Sequence, residues 1–181
     1  GMANGHDQGI MTFGASMGAM HAANFYYRRP DLFDSCFAIS GLYDNKEFFG
    51  DYCDDLVYNN CPVLYLNNMP ADHPYMGLYN SQKSLIVVGQ GAWEDVLLES
   101  TRRLDEVCCR KGIHTRFEYW GLDVNHDWPW WHKMVQTYLP WLLGEKGSPT
   151  VKKLPLRAKS FPFGRCVAQR IESNIAAGGS Y

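Results

Sequence analysis

A mostly parallel α/β sheet flanked by helices is the fold this sequence predicts, on two observations. Short apolar runs bounded by glycine recur along the chain, and between them lie stretches whose apolar residues repeat at helical spacing. Strands that alternate with helices are joined by crossovers, which makes neighbouring strands parallel. The 181 residues suit one domain and suffice for a substantial core.

Each element has its own signal. Gly9-Ile10-Met11-Thr12-Phe13-Gly14 is an apolar run between glycines and reads as a buried strand. From Gly18 the alanines and Met20 carry a helix to Arg28, and Pro30 stops it, because a proline disfavours helix in the residue before it. Cys36-Phe37-Ala38-Ile39, ending at Ser40-Gly41, is a second buried strand. Residues 42–83 are irregular, rich in Asn, Asp, Tyr and Phe, with Pro62, Pro70 and Pro74; they read as a cap or long loop with short helices. Leu85-Ile86-Val87-Val88-Gly89 is the clearest strand, and Leu97, Leu104 and Cys108 recur at helical spacing behind it. Arg110 and Lys111 suit the negative end of that helix, and Gly112 suits a left-handed cap. Arg116-Phe117-Glu118-Tyr119-Trp120 alternates charged and aromatic residues, as a strand near a sheet edge does. Trp131, Met134, Val135, Tyr138, Leu139 and Leu142 mark an amphipathic helix that Pro140 is expected to kink or end. Residues 1–144 thus form the domain, and the basic, weakly patterned residues 145–181 form a C-terminal tail.

Composition narrows the function classes. The net charge of −2 gives no push toward nucleic acid or an anionic membrane. No apolar run approaches the roughly 20 residues of a membrane helix, and no secretory pattern opens the chain, so a cytoplasmic location is expected. The six cysteines fit neither a zinc ribbon nor a disulfide scaffold and are expected to be free thiols. No metal site and no cofactor are suggested. Asp51, Asp54 and Asp55 read as a solvated acidic loop.

The chemistry begins at Gly14-Ala15-Ser16-Met17-Gly18. This G-x-S-x-G sequence falls where a strand hands over to a helix, and a sharp turn there projects the serine hydroxyl above the sheet. The helix N-terminus favours a developing oxyanion, with the Met17 N–H as one expected donor. A serine hydroxyl needs a base, and the base needs an orienting acid. Both follow in order. Glu94 and Asp95 lie beyond the strand ending at Gly89, and His126 lies beyond the next strand, so acid and base share the rim that carries Ser16.

Residues 9–143 resemble the esterase D-like branch of the α/β hydrolases, which includes S-formylglutathione hydrolase-like, feruloyl-esterase-like and acetyl-xylan-esterase-like proteins. Three segments carry the resemblance: Phe13-Gly14-Ala15-Ser16-Met17-Gly18-Ala19, Glu94-Asp95-Val96-Leu97-Leu98-Glu99-Ser100, and His126-Asp127-Trp128-Pro129-Trp130-Trp131. It implies a Ser16-Asp95-His126 triad, because the aspartate of the Glu-Asp pair is usually the acid; Glu94 is the alternate acid. Asp123 and Asp127 are expected to shape the histidine loop, and Trp128, Trp130 and Trp131 to anchor the last helix in the core.

The same resemblance implies a partial α/β-hydrolase fold. The family has further strands ahead of the nucleophile strand, one of whose loops supplies a second oxyanion N–H, and only eight residues precede Gly9 here. The Ile10–Phe13 strand edge is therefore expected to pair with another copy of the chain or to be covered by the C-terminal tail. The expected activity is hydrolysis of small carboxylic esters through an acyl-enzyme. Its rivals are a catalytically impaired hydrolase-derived fragment or binding module, and a thioesterase or acyltransferase on the same triad.

Overall fold

Four strands of the computed structural model form one parallel sheet, and their order in the sheet is their order in the chain. The structure describes residues 2–3 and 6–149. A two-stranded antiparallel ribbon comes first, β1 (Met2–Ala3) and β2 (His6–Asp7). The parallel sheet comprises β3 (Met11–Ala15), β4 (Ser35–Ile39), β5 (Lys83–Val88) and β6 (Arg116–Tyr119). Helix α1 (Met17–Arg28) links β3 to β4. The expected cap between β4 and β5 consists of four short helices, α2 (Lys46–Phe49), α3 (Asp55–Asn59), α4 (Pro62–Asn68) and α5 (Tyr75–Ser81). Helix α6 (Asp95–Lys111) links β5 to β6, and α7 (Trp128–Leu142) follows β6.

Strand alternation divides the core in two. Cys36, Ala38 and Ile86 point to one side, where they pack with Tyr26, Leu66, Tyr79, Leu104 and Cys108 from α1, α4, α5 and α6. Phe37, Ile39, Leu85 and Val87 point to the other, where Trp131, Met134, Tyr138 and Leu142 of α7 cover them. Strands β4 and β5 are buried on both faces, which is why they read as continuous apolar runs. Gly112 caps α6 at φ 69°, as its position in the sequence suggests.

Several expectations change. The first apolar run is an edge strand rather than a buried one. Among the described residues only β4 pairs with β3, and Met11 and Ala15 reach just the margin of the α7 cluster. Phe13 is consequently 53% exposed although it stacks on Phe37. Pro140 does not end α7, which runs on to Leu142. It stands in the last turn, where its missing N–H forfeits one hydrogen bond, and the Leu143 N–H still reaches the Leu139 carbonyl at 2.9 Å. Strand β6 is the opposite edge, but its charges do not face water. Arg116 pairs with the buried Glu118 at 2.6 Å, lies over the rings of Tyr138 and Trp141, and donates to Ser148 and the Pro149 carbonyl.

Cys36, Cys53, Cys61 and Cys108 are free thiols. Cys109 departs from that expectation: it is half-buried on the outer side of α6 and disulfide-bonded, whereas Cys108 faces the core. Cys166 and most of the C-terminal tail lie outside the described residues. No helix among the described residues is long and apolar enough to cross a membrane.

Candidate active site

All four strands of the parallel sheet end at the same rim: β3 and β4 lead directly into a residue of the site, and the loops beyond β5 and β6 carry the others. Strand β3 leads into Ser16, which has φ 55° and ψ −121° and precedes the first residue of α1. A positive φ is unusual for a residue with a side chain, and the Ser16 N–H holds it by donating to the Ile39 carbonyl at 2.9 Å. Gly14 makes the turn sterically possible: a Cβ there would lie 2.3 Å from the backbone of Gly18. Met17 is the first residue of α1, so its N–H is one of the helix's unpaired donors by position.

Beyond β6, His126 sits on a loop stitched to the loop beyond β5. The Gly91 N–H donates to the Val124 carbonyl at 2.8 Å, the Ala92 N–H to Asn125 Oδ1 at 2.8 Å, and the His126 N–H to the Ala92 carbonyl at 3.0 Å. The loops approach so closely that a Cβ on Gly91 would meet Asn125 Oδ1 at 2.3 Å. Asp127 caps α7 through the Trp128 N–H, so it shapes the loop as expected. Trp131 is a core anchor and meets the His126 ring edge-on at 4.9 Å. Trp130 is partly buried, while Trp128 leaves the core and is mostly exposed, because it stands at the helix start beyond the α7 cluster.

The result is a contact between His126 Nε2 and Ser16 Oγ of 2.9 Å. On the other side of the ring, His126 Nδ1 faces Glu94 Oε2 at 3.5 Å, and neither atom has another hydrogen-bond partner among the described residues. The carboxylate turned to the histidine is therefore that of Glu94, the alternate acid of the sequence reading, whereas Asp95, expected to be the acid, does not face the ring. The chain reverses at Trp93, φ 66°, which leaves the indole 86% exposed and the next side chain, Glu94, fully buried. Asp95 begins α6, where successive side chains diverge by about 100°. It is exposed and lines a separate cleft of about 570 Å³ with Leu42, Asp44, Val96, Ser100 and Arg103. In that cleft the Asp44 carboxylate bonds Arg103 and holds its guanidinium above the usual range.

Two further residues belong to the site. Ser40, where β4 ends, has φ 51° and lies 2.6 Å from Glu94 Oε1 through its hydroxyl. Its place directly after an apolar strand matches that of Ser16 and was a usable signal in the sequence. Asn125 carries no such signal; its role appears only when the two loops meet. Burial holds the neighbouring Tyr43 hydroxyl well above the ordinary phenol range, with Cys36 and Glu94 adding smaller pushes. Burial also pushes the Cys36 thiol up to about 12, so it offers no competing thiolate. Among the described residues no group of three or more His, Cys, Asp or Glu side chains is arranged to hold a metal ion.

A parallel sheet with this rim is found in known hydrolases. A ferulic acid esterase matches 74% of this chain with 50% of its own, at a TM-score of 0.58 and 24% identity. The S-formylglutathione hydrolase FrmB from Staphylococcus aureus matches 72% with 49% of its own, at 0.52 and 18%. An S-formylglutathione hydrolase from Agrobacterium tumefaciens matches 77% with 50% of its own, at 0.52 and 18%. The chain has the α/β-hydrolase fold. It spans about half the length of each of these structures. No family model and no curated protein sequence matches it.

Proposed function

We propose that this chain is a serine hydrolase that cleaves carboxylic esters through Ser16, His126 and Glu94. The observation that carries the reading is the 2.9 Å contact between Ser16 Oγ and His126 Nε2 at a strained strand-to-helix turn. The Ser16 oxygen attacks the acyl carbon as His126 Nε2 takes its proton. The negative charge formed on the acyl oxygen lies at the N-terminus of α1, with the Met17 N–H as a donor. His126 then gives its proton to the departing alkoxide, and the acyl group stays on Ser16. Water attacks the acyl-enzyme with His126 again as base and releases the acid. Glu94 faces His126 Nδ1 throughout, fixing the tautomer and stabilising the imidazolium.

Small esters are the proposed substrates, in keeping with the ferulic acid esterase that shares the fold. The thioester reading stands beside it because two structures sharing the fold are named S-formylglutathione hydrolases. The test is hydrolysis of p-nitrophenyl acetate and of an acetyl thioester by the protein and by Ser16→Ala. Ester turnover that disappears in the variant supports the proposal; faster thioester turnover moves it to the second reading. Equal rates in both proteins refute it and leave a hydrolase-derived binding module.

A further inference from the structure

Ser40 is a side chain at the rim that the proposed chemistry does not use, although it sits in the same row as the residues that do. The ends of β3, β4, β5 and β6 supply Ser16, Ser40, Glu94 and His126, and their side chains form one continuous chain of contacts: Ser16 to His126 at 2.9 Å, His126 to Glu94 at 3.5 Å, Glu94 to Ser40 at 2.6 Å. Ser40 repeats the backbone of Ser16. Its φ is 51° against 55°, and its N–H donates to the Val87 carbonyl at 2.7 Å, as that of Ser16 donates to Ile39.

We infer that Ser40 is a positioning residue, whose hydroxyl aims the Glu94 carboxylate at His126. The inference rests on the ester-hydrolase reading above. The Ser40 hydroxyl donates to Glu94 Oε1. The 2.6 Å separation is that of a hydroxyl bonded to a charged oxygen. Glu94 is fully buried, and a buried carboxylate without a donor is costly. The terminal torsion of a glutamate is also broad, so a single 3.5 Å contact to His126 would leave the group free to turn. With Oε1 fixed by Ser40, Oε2 is the atom left to face His126 Nδ1. The backbone at Ser40 is held in a conformation that side-chain-bearing residues rarely adopt, and it delivers the hydroxyl to that spot.

The test uses the whole chain, p-nitrophenyl acetate, and the variants Ser40→Ala, Ser40→Gly and Ser40→Cys, each assayed below its own melting temperature. Loss of a hydrogen bond to a charged group predicts a fall in kcat of about 10- to 100-fold for Ser40→Ala, with KM unchanged. Ser40→Gly should lose as much even though glycine relieves the backbone, and Ser40→Cys, a weaker donor, should fall between. In a Glu94→Gln background, Ser40→Ala should add little, because the two residues act as one unit. Wild-type kcat in Ser40→Ala, full activity in Ser40→Gly beside an impaired Ser40→Ala, or additive losses with Glu94→Gln would each overturn the inference. If Ser16→Ala abolishes turnover while Ser40→Ala keeps it, this inference fails alone; if the wild-type protein has no Ser16-dependent turnover, the functional reading fails with it.

Discussion

Glu94 and Asp95 are adjacent in the chain and opposite in environment, which makes their substitution the sharpest test of the site. Glu94 is fully buried with Oε2 3.5 Å from His126 Nδ1, while Asp95 is exposed beside a different cleft. Glu94→Gln keeps the shape but presents an amide to the ring, which favours the wrong histidine tautomer. Loss of the acid in a serine triad lowers kcat by about 10⁴-fold, about 5.5 kcal/mol of transition-state stabilisation. Glu94→Asp withdraws the carboxylate from a contact already at 3.5 Å and should recover little. Asp95→Asn should leave kcat unchanged, and the lost interaction of a first-turn carboxylate with the helix dipole contributes about 0.3–1 kcal/mol to any fall in stability. The assay is steady-state ester hydrolysis beside thermal melting. Glu94→Gln should melt no earlier than wild type, because a neutral amide is easier to bury than a carboxylate. A larger loss of kcat in Asp95→Asn than in Glu94→Gln would refute the geometric assignment and restore the aspartate as the acid.

Three other outcomes follow from particular contacts. Gly14→Ala places a Cβ 2.3 Å from the Gly18 backbone and should destabilise the fold by about 1–3 kcal/mol or more, whereas Gly18→Ala meets nothing within 4 Å and should raise stability by up to about 1 kcal/mol; thermal melting of both variants separates them. Tyr26, Tyr27, Tyr43, Tyr79 and Tyr138 are all fully buried, and burial raises each phenol above its ordinary value. Above about pH 10 the unfolded chain therefore loses protons that the folded chain keeps, so stability is level below that pH and falls as pH rises past it, by up to about 1.4 kcal/mol per tyrosine per unit. Tyrosinate absorbance should appear together with loss of helical circular dichroism, and phenols that ionise near pH 10 in a folded chain would contradict their burial. The β3 edge, unpaired among the described residues and with Phe13 53% exposed, is expected to drive self-association. Light scattering should show a concentration-dependent mass that Phe13→Lys lowers, and a monomer at all concentrations would exclude that use of the edge.

The sequence made the order of elements legible because each has a local cause. Residues 36–39 and 85–89 are apolar throughout since both faces of β4 and β5 are covered, and Gly112 ends α6 because the cap needs a left-handed residue. The positions of Ser16 and His126 were legible for a similar reason: a G-x-S-x-G turn and the loop after the next strands are places defined by chain order. What local pattern could not convey was direction and coverage. Nothing in Trp93-Glu94-Asp95 announces that the backbone reverses at Trp93 and sends the glutamate inward. An apolar strand reads as buried whether or not a neighbour covers it, and among the described residues β3 has none on its outer side. Arg116 and Glu118 alternate with aromatics as solvent-facing charges would, yet they pair with each other beneath α7, a fact fixed by the packing of Tyr138 and Trp141.

Backbone strain ties these observations to function. Among the described residues, three with side chains have positive φ: Ser16, Ser40 and Trp93. Such conformations cost about 1–3 kcal/mol each and persist only where surrounding structure holds them. All three stand just beyond the ends of β3, β4 and β5, on the rim that carries His126. Two are pinned by N–H bonds to the next strand, and the third precedes the buried glutamate. A chain selected for stability alone would place glycine at such turns, as it does at Gly50, Gly112 and Gly144. Side chains kept at the strained positions are explained if two hydroxyls must stand where they do, one to face the imidazole and one to hold the carboxylate behind it. Glycine at 16 should then stabilise the fold and abolish turnover, the opposite signs that strain at a working site requires, whereas glycine at 40 relieves the backbone but removes the donor to the buried Glu94 and should impair turnover.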